Sequence, residues 1–214
     1  MGSGLASDRD SAARDSASRP ERNAANGDVY LRSSVRTVAK ILIVGHFAVG
    51  KTTFIGTMSE IPPLRTEEVM TQASANIDDL KGAPNKTTTT VAMDFGRLTL
   101  SDELVLYMFG TPGQQRFVRL WEDLSRGALG ALVLVDPQRL RESFPVMDLV
   151  ERHGLPYAIA VNRFDGAPPH SLDEVREALD LLPETPVVSC DARDEQSSAG
   201  SLIALVEYLM SRLN

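Results

Sequence analysis

Cysteine is nearly absent from this chain. Cys190 is the one thiol in 214 residues, which excludes an internal disulfide framework and fits a reducing compartment. Long apolar runs are missing too. The longest, from Ala128 to Val135 and broken by Gly130, is far too short to span a bilayer, and no charged-then-apolar leader opens the sequence. A cytoplasmic protein is the expectation. Lipid-attachment signals are lacking: Ala6 stands where a myristoylation site wants Ser or Thr, and the C-terminal Ser211 to Asn214 carries no prenylation cysteine. Any recruitment to a membrane would therefore run through partners. Excess positive charge is the last absence. With 22 Lys and Arg against 29 Asp and Glu, the net charge is −7, which argues against a general nucleic-acid binder.

What is present begins with an apolar, β-branched segment that runs into Gly45-His-Phe-Ala-Val-Gly50-Lys51-Thr52-Thr53. This is G-x-x-x-x-G-K-T between a strand pattern and a helix pattern, a sequence built to hold phosphate. Gly45 and Gly50 let the backbone bend until successive N–H groups face an anion, with Ala48 and Val49 in the curve of the loop. The helix that starts near Lys51 points its positive end at the same place, Lys51 reaches the β and γ phosphates, and the Thr52 hydroxyl ligates Mg²⁺, with Thr53 alongside. His46 is expected to point away from the phosphate.

Residues 1–36 have hardly any large apolar side chain before Val29, and their six arginines face five acids. Such a segment cannot offset its ordering entropy and is expected to be a disordered tail. From residue 37 to 214 strand-like and helix-like segments alternate, as in a parallel sheet covered by helices. Strands are predicted near 38–44, 91–98, 104–109, 130–136, 157–161 and 186–189, and helices over 50–60, 115–126, 138–152, 172–181 and 199–212. The short link from Thr99 to Glu103 predicts an antiparallel hairpin. The expected fold is thus a P-loop NTPase: a six-stranded, mostly parallel sheet with one antiparallel edge strand and helices on both faces. Between the first helix and second strand, 61–90 reads as a long functional loop in which Glu67 to Leu80 tolerates a helix and Lys86 to Thr90 looks extended.

Four further segments follow in order: Met108-Phe-Gly110-Thr-Pro-Gly113-Gln114-Gln115-Arg116-Phe117, a strand ending at Asp136, Ala160-Val-Asn162-Arg163-Phe164-Asp165, and Val188-Ser189-Cys190-Asp191-Ala192. With these the chain resembles the Ras-like small GTPases. The lead into Val91-Ala-Met-Asp-Phe95 and the Gly-Thr-Pro-Gly-Gln-Gln string are similar to the bacterial gliding-motility branch, and within it to the GTP-binding member of conservon-type operons.

The resemblance implies GTP and GDP as ligands with Mg²⁺, and two switch regions, about 61–90 and 110–120. Asp165 would take two hydrogen bonds from guanine N1 and N2, which adenine cannot supply. Asn162 would contact the base edge and tie that loop to the P-loop, and Arg163, in place of the usual lysine, would cover the base with its stem and planar head. Ser189, Cys190 and Asp191 match the weaker base-contact turn, with Cys190 a small buried residue. Gln114, after Gly113, would orient the attacking water, and Thr90 would close over Mg²⁺ and the γ-phosphate. The resemblance also implies a roadblock-type partner and a sensor-kinase-like membrane protein.

One departure stands out. Gly110 occupies the place of the D-x-x-G aspartate that orients a metal-bound water, a feature the bacterial branch shares, and slow intrinsic hydrolysis is the expected consequence. Arg65, Arg97, Arg116 and Arg119 are candidates by location for neutralising transition-state charge, but spacing does not choose among them, and each also reads as a solvated surface residue. Two other readings share parts of the pattern. A nucleotide-holding scaffold without useful turnover would follow from Gly110, and a P-loop ATPase or kinase would share Gly45 to Thr52 but not Asn162 to Asp165.

Overall fold

The computed structural model describes residues 31, 33–69, 88–112, 118–168 and 170–212, with backbone alone for 65–69, 88–92 and 118–120. The strands are β1 (Thr37–Val44), β2 (Leu64–Val69), β3 (Thr88–Thr99), β4 (Leu104–Gly110), β5 (Gly130–Val135), β6 (Tyr157–Asn162) and β7 (Val187–Cys190). The helices are α1 (Lys51–Met58), α2 (Val118–Ser125), α3 (Phe144–Arg152), α4 (Leu172–Ala178) and α5 (Glu195–Ser211), with a 3₁₀ turn at Leu140–Glu142.

Strand β1 dictates the layering because its apolar residues alternate in direction. Ile41 and Ile43 face a cluster with Phe54, Ile55 and Met58 of α1 and Leu202 and Leu205 of α5. Leu42 and Val44 face the other side, against Trp121 and Leu124 of α2, Val146, Met147 and Val150 of α3, and Val175 of α4. A strand buried on both faces is what a helix-covered parallel sheet requires. The sheet order is β2-β3-β4-β1-β5-β6-β7. The chain leaves β1 toward the β2–β3–β4 side and then crosses over β1 from β4 to β5, so a crevice opens at the C-terminal end of β1, where ligands of such sheets bind.

The expected α/β architecture is observed, with one strand more than the six expected. β2 takes the edge, so the reversed strand β3, antiparallel to both β2 and β4, lies one place in. Glu67, Glu68 and Val69 pair with Thr90, Thr89 and Thr88, so the helix tolerated from Glu67 does not begin there. Nothing in Arg65-Thr-Glu-Glu-Val69 alternates in hydrophobicity. Its extended form is imposed by the long partner strand, a non-local effect that outweighs local preference. The helix expected over 138–152 is divided at Ser143, with Pro145 in the first turn of α3, where its missing N–H costs nothing. α5 starts earlier than expected because the Asp194 side chain caps it, accepting from the Ser197 N–H at 2.7 Å. Leu213 lies outside the described residues. So do most of the predicted tail, 70–87 of the first switch region and 113–117 of the second. Where the described chain enters the sheet, the Arg36 and Thr37 N–H groups both donate to the Glu103 carbonyl at 2.9 Å. Among the described residues no helix is long and apolar enough to cross a membrane.

Candidate functional site

The loop after β1 is held in a shape that side chains forbid at two points. Gly45 has φ +146°, and a Cβ there would lie 2.5 Å from the Leu134 carbonyl oxygen and 2.7 Å from Val49 Cγ1. Gly50 has φ +107°, and its Cβ would lie 2.7 Å from Asn162 Nδ2. Ala48 between them also has positive φ, 63°, a conformation that costs energy in a non-glycine residue and marks a loop shaped for something. Gly50 caps α1 without a side-chain hydrogen bond, and the first turn carries no acidic residue. The N-terminal amides of Lys51, Thr52 and Thr53 therefore lack intrahelical acceptors, and the positive end of the helix is left for an anion. The Lys51 ammonium lies across the loop, donating to the carbonyls of Gly45 at 2.8 Å and His46 at 2.7 Å. His46 is 3% exposed, its Nδ1 lies 2.7 Å from the Phe47 carbonyl, and burial pushes its pKa down.

Thr52 reveals a residue to which sequence reasoning gave no role. Its hydroxyl donates to Asp94 Oδ2 at 2.6 Å, and Asp94 is a β3 residue only 3% exposed. In the β3–β4 ladder Asp94 stands directly opposite Gly110. A Cβ at Gly110 would lie 3.1 Å from Asp94 Cβ and 3.3 Å from its Oδ2. A carboxylate therefore lies beside Gly110, carried by the neighbouring strand and reaching into the space that glycine leaves. The signal was in the hairpin: counting back from Thr99 opposite Val105 places Asp94 opposite Gly110.

The other end of the crevice is built from the loops after β6 and β7. Asn162 is 4% exposed. Its Nδ2 donates to the Val49 carbonyl at 2.9 Å, and its Oδ1 accepts from the Ala192 N–H at 3.0 Å. It ties its own loop to the P-loop as expected and adds a tie to the β7 loop; its second amide N–H and second carbonyl lone pair are the groups that a base edge would meet. Arg163 Nε donates to the Ser189 hydroxyl at 2.8 Å, which makes Ser189 a support for Arg163. Cys190 is fully buried in the apolar cluster, and burial raises its pKa, so it stays a thiol.

A cleft of about 200 Å³ joins Ala48, Gly50 and Thr53 to Asn162, Arg163 and Asp165 and to the segment from Asp191 to Arg193. Arg193, which sequence reasoning passed over as one more charged loop residue, donates from both terminal nitrogens to Asp165, at 2.7 and 3.0 Å. It also donates to Asp191, through Nε at 2.9 Å and a terminal nitrogen at 2.9 Å. These hydrogen bonds hold the Asp165 carboxyl below the usual carboxylate range and bring Asp191 down to about 2.

Among the arginines considered for charge neutralisation, Arg97 is 8% exposed and paired with Glu60 at 2.7 Å, a structural role. The side chains of Arg65 and Arg119 are not described, and Arg116, Gly113 and Gln114 lie outside the described residues. The backbone of Thr90 belongs to β3, opposite Glu67. No group of three or more His, Cys, Asp or Glu among the described residues could hold a metal by itself. A cation here would have to share hydroxyl and ligand oxygens, which suits Mg²⁺.

Fold and crevice together define a P-loop protein with the architecture of GTPase G-domains. Among solved structures, the chain is similar to the FeoB G-domain from Methanococcus jannaschii, with a TM-score of 0.54 and 13% identity over 82% of this chain and 99% of that one. It is also similar to Aquifex aeolicus Era bound to GDP·AlF4⁻, with a TM-score of 0.57 and 18% identity over 81% of this chain and 57% of that one. At such identities the likeness is one of fold. Residues 43–212 match the model of the family described as "Conserved hypothetical ATP binding protein", and the chain belongs to that family. A curated relative is the uncharacterized protein MJ1339 of Methanocaldococcus jannaschii, 30% identical over 128 residues, or 59% of this chain and 70% of the relative.

Proposed function

We propose that this protein is a GTP-binding molecular switch of the gliding-motility type, most like the conservon-operon member, with slow intrinsic hydrolysis of GTP to GDP and phosphate. The observation that carries the reading is the tie made by Asn162, from the P-loop at Val49 to the β7 loop at Ala192. That tie sets a base-binding crevice at a fixed distance from the phosphate loop and leaves Asp165 on its rim. A carboxylate there selects a base that presents two adjacent N–H donors. Guanine does, through N1 and N2. Adenine offers a donor beside an acceptor, and its acceptor would face the carboxylate unpaired.

Mg²⁺ fits the phosphate end. The Thr52–Asp94 pair, with Asp94 buried and Thr52 half-buried, offers a hydroxyl whose proton is already committed, leaving its oxygen lone pairs for a cation, and Asp94 supplies the nearby negative charge that a metal-bound water needs. When bound, the ion would spread the charge of the β and γ phosphates. Thr90, by resemblance, is the second hydroxyl ligand, and Gln114 the residue that orients water. Loops 61–90 and 110–120 would then respond to the γ-phosphate and choose partners, a roadblock-type protein and through it a sensor-kinase-like membrane protein. The protein would be cytoplasmic and reach the membrane only through them.

The family's description favours a second reading, an ATP-binding protein. The two are separated by base choice. The scaffold reading without turnover rests on Gly110, and the Asp94 carboxylate beside it supports turnover instead. Turnover is tested by phosphate release from GTP with Mg²⁺. A slow release that disappears in Gln114→Ala is expected, and no release above the background of Lys51→Ala would overturn the hydrolytic half of the proposal.

A further inference from the structure

We propose that Arg193 is a built-in competitor of the base, an intramolecular cap on the carboxylate that reads it. The inference rests on the guanine reading above and adds a regulator of that same site. A guanidinium offers two parallel N–H donors from one planar edge, the same pattern as N1 and N2 of guanine. Here both terminal nitrogens of Arg193 donate to the two oxygens of Asp165, at 2.7 and 3.0 Å. The acceptor sites that a guanine needs are therefore taken by a side chain of the same protein.

The tether makes the cap reversible. Arg193 is also bonded to Asp191 through Nε and a terminal nitrogen, each at 2.9 Å, and the Arg193 N–H donates to Asp191 Oδ1 at 3.0 Å. Swinging off Asp165 thus leaves the guanidinium with a carboxylate partner, and the displaced group needs no new site. Both partners are solvent-accessible, with Arg193 and Asp165 side chains 53% and 86% exposed, so the cap is shallow and can open without disturbing the core. The charges facing Asp165 are those of Arg193 and Asp191 in the β7 loop. Arg163 is directed instead to Ser189.

A protein whose competent form is only partly populated binds its ligand with an affinity reduced by that fraction. An exposed ion pair of this kind sets the fraction so that its removal tightens binding about two- to fivefold. The gain lies in the association rate, because the cap acts on the empty crevice.

The test is binding of a fluorescent GDP analogue to the full chain, followed by stopped flow, for wild type, Arg193→Lys and Arg193→Gln, each also in an Asp165→Asn background. Expected are a tighter Kd and faster association in the order wild type, Lys, Gln, with release unchanged, and no effect of Arg193→Gln once Asp165 is Asn. Weaker binding in Arg193→Gln, or an equal gain in both backgrounds, would overturn the cap. Equal GDP binding by wild type and Arg193→Gln would sink the cap and leave the guanine reading standing. Binding of ATP with no GDP binding in any variant would sink the guanine reading, and the cap with it. Matching thermal melts for Arg193→Gln and wild type check that the fold is intact, which a half-exposed loop residue should leave unchanged.

Discussion

The two ends of the crevice are made in opposite ways. The phosphate end is a buried construction of backbone and short side chains: Gly45 and Gly50 in conformations closed to other residues, and Asp94 3% exposed beneath Thr52. The base end is a surface construction of long charged side chains, with Asp165 86% and Arg193 53% exposed. Between them Asn162 bonds to both the P-loop and the β7 loop, at Val49 and Ala192. The contrast teaches that the phosphate end can be lost only together with part of the fold, whereas the base end can be retuned by single changes that leave the fold untouched.

The comparison breaks most severely at Gly50. An alanine there would push its Cβ to 2.7 Å from Asn162 Nδ2 in a φ +107° conformation, a strain of about 1–3 kcal/mol. Gly50→Ala should lower the thermal midpoint and abolish nucleotide binding, both readable in one melting experiment with and without GTP. Asp165→Asn should do the reverse: an unchanged melting temperature without ligand, GTP affinity weakened by about tenfold or more through two lost charge-assisted bonds, and xanthosine triphosphate preferred in titration.

Asp94 sharpens the comparison at the phosphate end. Asp94→Asn should weaken Mg²⁺-dependent binding or turnover by about 10–100-fold, the usual cost of removing a group that orients a metal ligand. The paired change Asp94→Gly with Gly110→Asp should restore much of it. The swap removes the side chain that a Cβ at 110 would crowd, and Ile55 Cδ1, at 2.8 Å, must also give way. Failure of the swap while Asp94→Asn stays fully active would mean that the pair has no part in metal binding.

The smallest effect is at His46. Burial holds its ring neutral, with a pKa below the ordinary value of about 6.5. The stability this contributes is complete above that value and declines as pH falls toward the lowered pKa, where the folded state resists the proton that the unfolded chain accepts. Melting curves between pH 7.5 and 5 should show a fall for wild type that is reduced in His46→Gln, while Asp165→Asn follows wild type.

Sequence was informative in proportion to how local the determinant was. The parallel strands and their helices announced themselves through apolar runs and 3.6-residue periods, and Gly45 to Thr53 through a motif whose backbone demands are written in its glycines. β2 was illegible because Arg65 to Val69 has no strand pattern of its own and is extended only beside β3. Asp94 was quoted but given no role, since its importance exists only in the register that sets it against Gly110. Arg193 was hidden for a similar reason: a charged residue in a loop is ordinary until folding brings it to Asp165. Asn162 was half legible, its tie to the P-loop foreseen and its bond to the Ala192 N–H not.

The central claim is that Asp165 reads guanine, and competition between GTP and ATP for a bound fluorescent GDP analogue, with Mg²⁺ present, tests it most directly. The account predicts displacement by GTP at concentrations at least tenfold below those of ATP, a ratio that collapses in Asp165→Asn. Displacement by ATP at equal or lower concentration, unchanged by Asp165→Asn, would contradict it and make this chain an adenine-nucleotide protein.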